Sequence, residues 1–387
     1  MSIWLLKPAE LTLKGENRKS FEKTLKQNLA RMLSGAGVNA KIIPTDGRLY
    51  VHGADNEAEA VENVLSHLIG ISGWAKTTVC DKTVEAVIRA CVEEGKKIFA
   101  AGARTFKIDA RRTDKSFPAG SYELCCMGGD AVTAGIDGLK VKIHNPDDVI
   151  RIEIREKAYI YSGAKKGLGG LPVGSAGRGL LLLSGGIDSP VAGFLMASRG
   201  MGIDAVHFHA YPYTSQEAKQ KVIRLAEITG SYCMGIRLYV INFTPVQMRI
   251  KEKAPPPWTT VILRMAMMEA AEKAAAKIKS KCLITGESLS QVASQTIENL
   301  TCTQSRIKLP VLRPLIGLSK EKIIREAERI GTYKISIEPY EDCCTLFTPV
   351  HPVLHGDPKE ANLIYESLEL DALIDEALAK YEMVKCR

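Results

Sequence analysis

The stretch LLLLSGGIDSP, residues 180–190, constrains this chain more than any other. Leu180, Leu181, Leu182 and Leu183 form a short apolar run between Gly179 and Ser184, the pattern of a buried strand. Gly185 and Gly186 let the backbone turn tightly and let a ligand approach closely. Asp188 and Ser189 stand where a helix begins, and Pro190 suits its first turn. VAGFLMASR then carries the helix to Gly200. A helix start of this kind offers backbone N–H groups to a phosphate. Ser184 and Ser189 add hydroxyl donors.

The loop lacks the Gly-Lys-Ser/Thr ending of a Walker A motif. Ser-Gly-Gly-Ile-Asp-Ser instead resembles the PP-loop of ATP pyrophosphatases, which holds the pyrophosphate of ATP while AMP is transferred to a carbonyl oxygen. A plain strand–turn–helix with capping serines is the alternative. Gly-Gly followed by Asp-Ser at a strand end is more specific than a lone GxGxxG.

With 387 residues the chain has room for two or three domains. Its formal charge of +8 permits a polyanionic partner without requiring one. The apolar run at the N-terminus is too short for a signal peptide, and no run approaches the length of a membrane span. The expected location is therefore the cytoplasm, with no membrane partner. There the 10 cysteines are mostly thiols. No C-x-x-C occurs, and no metal-ligand set is expected.

Taken in order, residues 1–71 read as strand, helix, hairpin and helix. Phe21, Leu25, Leu29, Met32 and Leu33 recur at helical spacing, and the hairpin turns at Asp46-Gly47. This order suggests a ferredoxin-like α+β module. Lys14 and Arg18 make its helix entry basic, although a solvated helix face is the better account of this cluster taken alone. Residues 72–168 hold two helices and the strands RTFKIDARR, VKIHNP and VIRIEIREKAYIYSG. Arg104, Lys107, Arg111, Arg112 and Lys115 gather on one strand and its exit, with Phe117 next to them. A basic strand beside an aromatic can grip a nucleic-acid backbone. FKIDARRTDKSFP, with the later strand, resembles a THUMP domain, an RNA-binding module of tRNA-modifying enzymes. Cys125 and Cys126 fall within a helix and read as ordinary thiols.

The glycine-rich KKGLGGLPVGSAGRG places a boundary near Leu168. Residues 169–387 alternate strands and helices, which predicts an α/β fold with a doubly wound parallel sheet. Its strands are GIDAVHFHAYP, IRLYVINF, CLITGES and LPVLRPLI, and SQVASQTIENL reads as a helix. Ligands of such sheets bind at the carboxyl ends of the strands, where Ser184, Phe208 and Gly286 all lie.

TGESLSQVASQTIENL, PVLRPLIGLSKEKII and IEPYEDCCTLFTPVHP, with LKGENR near the start, resemble the tRNA 4-thiouridine synthetase family, ThiI. The resemblance covers nearly the whole chain in the order ferredoxin-like domain, THUMP domain, PP-loop domain. It implies an ATP-dependent tRNA sulfurtransferase. That enzyme adenylates the C4 oxygen of the uridine at tRNA position 8 and replaces it with persulfide-derived sulfur. It also implies sulfur transfer for thiamine thiazole synthesis in some organisms. The chain ends at Arg387 with no rhodanese segment, so the resemblance is to the short form.

Carried over by position, Leu182, Leu183, Ser184, Gly185, Gly186 and Ser189 would hold ATP. His207 and Phe208 would pack near adenine, and Arg264, Gly286 and Gln295 would complete the site. Asp188 would help bind Mg2+ and pyrophosphate. Taken singly, His207 is a strand-end histidine, Arg264 a helix charge and Gln295 a helix amide; only the shared frame singles them out. Ser290 stands where the family usually has glycine.

Cys344 aligns with the family's sulfur-transfer cysteine, and its neighbour Cys343 could resolve the persulfide. PYEDCCTLFTP has the composition of a loop. The implied partners are tRNA and a cysteine desulfurase, with a thiamine sulfur-carrier protein and a second copy of the chain as further candidates. A PP-loop amidotransferase or small-molecule adenylase fits less well, because the first half reads as RNA-binding. A non-catalytic RNA-binding protein is argued against by the intact SGGIDS.

Overall fold

The computed structural model describes residues 1–10, 17–45, 47–340, 349 and 351–386. The chain forms two compact units, Met1–Gly170 and Leu171–Arg387.

The first unit runs β1 (Ser2–Pro8), α1 (Arg18–Gly35), β2 (Lys41–Thr45), β3 (Arg48–Gly53), α2 (Ala58–His67), β4 (Ile71–Cys80), α3 (Val84–Ala100), β5 (Thr105–Arg112), α4 (Ser121–Gly135), β6 (Lys140–Val141), β7 (Asp148–Ile154), β8 (Ala158–Tyr161) and β9 (Lys165–Lys166). The strands form one sheet in the order β2-β3-β1-β4-β8-β7-β5-β6, with β9 also on β4. Strand β4 pairs with β1 over Ile71–Thr77 and with β8 over Thr78–Cys80. The boundary expected after residue 71 thus falls at the start of a strand that both halves share. Leu25, Leu29 and Leu33 of α1 and Leu65 of α2 bury their apolar stripes with Trp4, Val51 and Trp74. Helices α3 and α4 cover Phe106, Ile150 and Ile152. Of VKIHNP only Val141, next to Lys140, belongs to a paired strand, and Ile143 is left in solvent.

Glu153 ties the halves together. It is buried, accepts hydrogen bonds from Arg48 Nε at 3.1 Å, Arg155 Nε at 3.0 Å and the Tyr161 hydroxyl at 2.8 Å, and lies 3.5 Å from Lys7 Nζ. Burial alone would raise its pKa, but Arg48, Tyr161 and Arg155 hold it down at about 2. The stabilisation is full above the ordinary carboxylate range and drains away as pH falls from about 5 towards 2. At 1.36 kcal/mol per unit it is on the order of 3 kcal/mol. Urea unfolding at pH 7 and pH 3 should show the wild type losing much more stability than Glu153→Gln. An equal loss in both would remove Glu153 from the acid response.

The second unit runs β10 (Arg178–Leu182), α5 (Asp188–Ser198), β11 (Gly202–His209), α6 (Gln216–Cys233), β12 (Ile236–Asn242), α7 (Thr244–Lys253), α8 (Thr259–Ile278), β13 (Leu283–Ile284), α9 (Ile297–Gln304), β14 (Val311–Leu312), α10 (Lys320–Arg329), α11 (Tyr333–Ser336), α12 (Pro358–Ser367), α13 (Asp371–Ala379) and β15 (Glu382–Cys386). The sheet order is β14-β13-β10-β11-β12-β15. The first five strands are parallel, and β15 closes the β12 edge antiparallel. The chain steps from β10 to β11 on one side and returns to β13 on the other, which makes the end of β10 a topological switch point where such sheets bind ligands. The segment SQVASQTIENL is not one helix. It forms a short 3-10 turn over Ala293–Gln295, and α9 begins only after Thr296 caps Asn299 N–H at 3.2 Å. Among the described residues no helix is long and apolar enough to cross a membrane.

Candidate active site

The SGGIDS loop leaves β10 and enters α5 through hydrogen bonds of its own serines. Ser184 N–H donates to Ser189 Oγ at 3.0 Å, Ser189 Oγ donates to the Ser184 carbonyl at 3.3 Å, and Gly186 N–H donates to Ser184 Oγ at 3.3 Å. The two hydroxyls thus shape the loop, and neither makes a side-chain cap of α5. The Gly286 backbone comes so close that a Cβ there would lie 2.8 Å from Ser189 N and 2.9 Å from the Asp188 carbonyl carbon. Only glycine lets the loop after β13 touch the helix start.

Between these loops lies a cavity of about 250 Å³. Leu182, Val206, Phe208, Met267 and Met268 give it an apolar wall. Leu183, Ser184, Gly186, Asp188 and Ser189 line the loop side; His207, Arg264, Thr285, Gly286, Glu287 and Gln295 complete it. Every nucleotide residue singled out in the sequence therefore borders the cavity except Gly185, which lies between two of its residues in the chain. Buried His207 places Nδ1 3.1 Å from the Leu183 carbonyl oxygen. In the neutral ring Nδ1 carries the proton and Nε2 is the acceptor.

Val206, Met267, Met268, Thr285 and Glu287 are additions that the motif alone does not reveal. Glu287 organises one side of the site. It pairs with the Arg264 guanidinium, accepts from Arg313 Nε at 2.7 Å and accepts from the Thr285 hydroxyl at 2.8 Å. Burial opposes its charge, but the charges of Arg264 and Arg313 outweigh that and keep its pKa below the usual carboxylate range. Arg264 is thus held on a fixed anion.

Asp188 is also engaged. Lys320 Nζ at the start of α10 lies 2.6 Å from Asp188 Oδ1, and Gln291 Nε2 donates to Oδ2 at 2.8 Å. Ser290 has φ of 60°, the left-handed conformation that glycine adopts without strain. The backbone keeps that form with serine at a cost of about 1 kcal/mol. Ser290 N–H donates to the Gln295 carbonyl at 2.9 Å, and Ser288 N–H donates to Gln295 Oε1 at 3.2 Å. Gln295 therefore holds the loop as well as facing the cavity.

The described basic residues of the first unit take different partners. Arg18 pairs with Glu22 at 2.7 Å. Arg104 donates to the Phe99 and Ala103 carbonyls and covers the Phe99 ring. Arg112 donates to the Phe117 carbonyl at 2.9 Å. Phe117 is not a surface aromatic: it is 4% exposed and packs in the α3–α4 core. Lys107 and Arg111 share a face of β5 by strand alternation, opposite Phe106 and Ala110. Arg111 and Lys115 are exposed. Cys125 packs against the core and Cys126 is exposed, both within α4. Lys14, Cys343 and Cys344 lie outside the described residues. No group of three or more metal-ligating side chains occurs among those described.

Residues 174–370 match the family model described as "Thiamine biosynthesis protein (ThiI)", residues 3–75 the "ThiI ferredoxin-like domain", and residues 81–162 the "THUMP domain". A "Probable tRNA sulfurtransferase" of Treponema pallidum (strain Nichols) is 50% identical over 377 residues, covering 97% of this chain and 93% of that one. Another, of Caldanaerobacter subterraneus subsp. tengcongensis, is 45% identical over 373 residues, covering 96% and 97%. Among solved structures, a 4-thiouridine synthetase in complex with RNA and bound ATP superimposes with a TM-score of 0.92 at 33% identity, covering 100% of both chains. PH1313 of Pyrococcus horikoshii gives a TM-score of 0.68 at 27% identity, covering 86% of this chain and 100% of that one. With a ferredoxin-like module, a THUMP domain and a PP-loop sheet matched in order along its length, this chain belongs to the ThiI family of tRNA sulfurtransferases.

Proposed function

We propose that this chain uses ATP to adenylate the C4 oxygen of the uridine at tRNA position 8 and replaces that oxygen with persulfide sulfur, giving 4-thiouridine, AMP and pyrophosphate. The observation that carries this is the convergence of the SGGIDS loop, Arg264 and the Gly286–Gln295 segment on one cavity at the switch point of the sheet. A 4-thiouridine synthetase of the same fold binds RNA and ATP together, which supports the same pair of substrates here.

The apolar wall of Phe208, Met267 and Met268 suits an adenine ring, and the loop N–H groups suit its phosphates. Arg264, steadied by Glu287, offers a cation to the nucleotide. Lys320 stands beside the loop as a second. Magnesium suits the oxygen donors Asp188, Ser184 and Ser189, since it binds through one or two carboxylates and substrate phosphates. When bound it would neutralise charge on the leaving pyrophosphate. The C4 oxygen attacks the α-phosphorus of ATP and pyrophosphate leaves. The terminal sulfur of a Cys344 persulfide then attacks C4 and AMP leaves with the oxygen. The thiol of Cys343 attacks Cys344 Sγ, releasing the thiocarbonyl and leaving a disulfide that an external thiol reduces. A cysteine desulfurase supplies the persulfide. The same persulfide is our proposed donor for the thiamine route that the family description names.

Pyrophosphate exchange into ATP tests the adenylation. It should require tRNA and vanish when cytidine replaces the uridine at position 8. Equal exchange without tRNA would overturn the assignment.

The proposed grip on tRNA rests on Lys107 and Arg111, the two basic residues on the face of β5 opposite Phe106 and Ala110. Lys107→Glu with Arg111→Glu in the full chain should weaken tRNA binding about tenfold or more. The slope of log affinity against log salt should fall by about 1.5, since each lost phosphate contact removes about 0.7–0.9. Unchanged affinity and slope would place the RNA elsewhere.

A further inference from the structure

We propose that Lys221 and Arg224 on α6 are positioning residues for sulfur delivery. They fix residues 338–340, the chain that leads directly into Cys343 and Cys344. The inference rests on Cys344 being the sulfur carrier.

Lys221 is 4% exposed. Its Nζ donates to the Glu338 carbonyl at 2.9 Å and reaches the Tyr340 carbonyl at 3.5 Å. An ammonium group taken out of water is tolerated only where acceptors meet its protons. Arg224 lies three residues on, on the same face of α6. Its Nη1 donates to Glu338 Oε1 at 3.0 Å, and its Nη2 pairs with Oε2. A two-pronged contact of this kind fixes orientation as well as distance. Glu338 is thus gripped at its carbonyl by one residue and at its carboxylate by the other.

The other end of the same short stretch is tied to the nucleotide loop. Ser336 Oγ donates to the Gly186 carbonyl at 3.3 Å. Within five residues the chain is bonded first to the loop proposed to hold pyrophosphate and then to α6. Cys344 follows Tyr340 by four residues. Four fully extended residues span at most about 14 Å. The grip on Tyr340 therefore anchors the chain four residues ahead of Cys344, and Ser336 ties the same stretch to Gly186. Holding a reactant near its target raises its effective concentration. Free sulfide needs no carrier and gains nothing from the grip.

The test uses the full chain with ATP and tRNA. 4-Thiouridine formation is measured once with a cysteine desulfurase and cysteine, and once with sodium sulfide. Lys221→Met, Arg224→Gln and Arg224→Lys are compared with wild type. The desulfurase-driven kcat should fall about tenfold or more in Lys221→Met and Arg224→Gln. Arg224→Lys should be intermediate, because a lysine cannot make the two-pronged contact. The sulfide-driven kcat and the KM for ATP should stay within about twofold in all three. If Lys221→Met does not fold, the two variants of the partly exposed Arg224 carry the test. A parallel loss with both sulfur sources would make the contacts merely structural, and an undiminished desulfurase rate would refute the positioning role. Cys344→Ser, run alongside, separates the two ideas. If it is active with the desulfurase, the carrier assignment fails. If it is inactive while the α6 variants match wild type, only the positioning inference fails.

Discussion

Asp188→Ala should abolish 4-thiouridine formation, with a fall in kcat of at least about a hundredfold. Asp188 opens α5 at the end of the loop, between Lys320 at 2.6 Å and Gln291 at 2.8 Å. Removing the carboxylate takes away the hard oxygen ligand on which magnesium would depend. It also frees Lys320 from its partner. Tighter binding of ATP with no turnover is therefore compatible with the proposal, because an unpaired lysine beside a phosphate site strengthens ground-state binding alone. The side chain takes no part in a buried core, so the fold and tRNA binding should persist. Pyrophosphate exchange and 4-thiouridine yield are the two readouts. A variant that modifies tRNA at the wild-type rate would sink the assignment of this loop to catalysis.

The second large effect concerns sulfur. Cys344→Ser should bind ATP and tRNA, support pyrophosphate exchange at the wild-type rate, and make no 4-thiouridine when a desulfurase is the donor. Serine cannot carry a persulfide. Supplying free sulfide should restore product, because sulfide can displace AMP from the adenylated uridine directly. Cys343→Ser should keep part of the desulfurase-driven activity if its role is only to resolve the persulfide. Full desulfurase-driven activity of Cys344→Ser would end the persulfide role. Failure of sulfide to rescue a variant that still adenylates would show that Cys344 acts at the uridine itself.

The elements legible in the sequence are those whose signals are local. Four leucines before a Gly-Gly turn and a proline in the next helical turn place β10, the loop and α5 within a residue or two. The same holds for α1, whose leucines repeat at helical spacing. Local signals failed where partners are remote. Strand β15 is EMVKC, mostly exposed and unremarkable, and it is a strand because β12 offers it an open edge. VKIHNP reads as a strand by composition, yet pairing ends at Val141. Phe117 next to a basic run reads as a surface aromatic, yet the fold of residues 113–120 turns it into the core.

The candidate site divides along the same line. The motifs name the loop residues that border the cavity, since a loop that admits phosphate must have small residues and N–H groups at fixed spacing. Only the tertiary structure decided what steadies them. Asp188 meets Lys320 132 positions away, Glu287 meets both Arg264 and Arg313, and Lys221 meets Glu338 117 positions away. Each of these residues taken alone is an ordinary charge on a helix or loop. A charge acquires a role from the partner that neutralises or orients it. That partner is chosen by how the strands order themselves in the sheet, which no short window of sequence records.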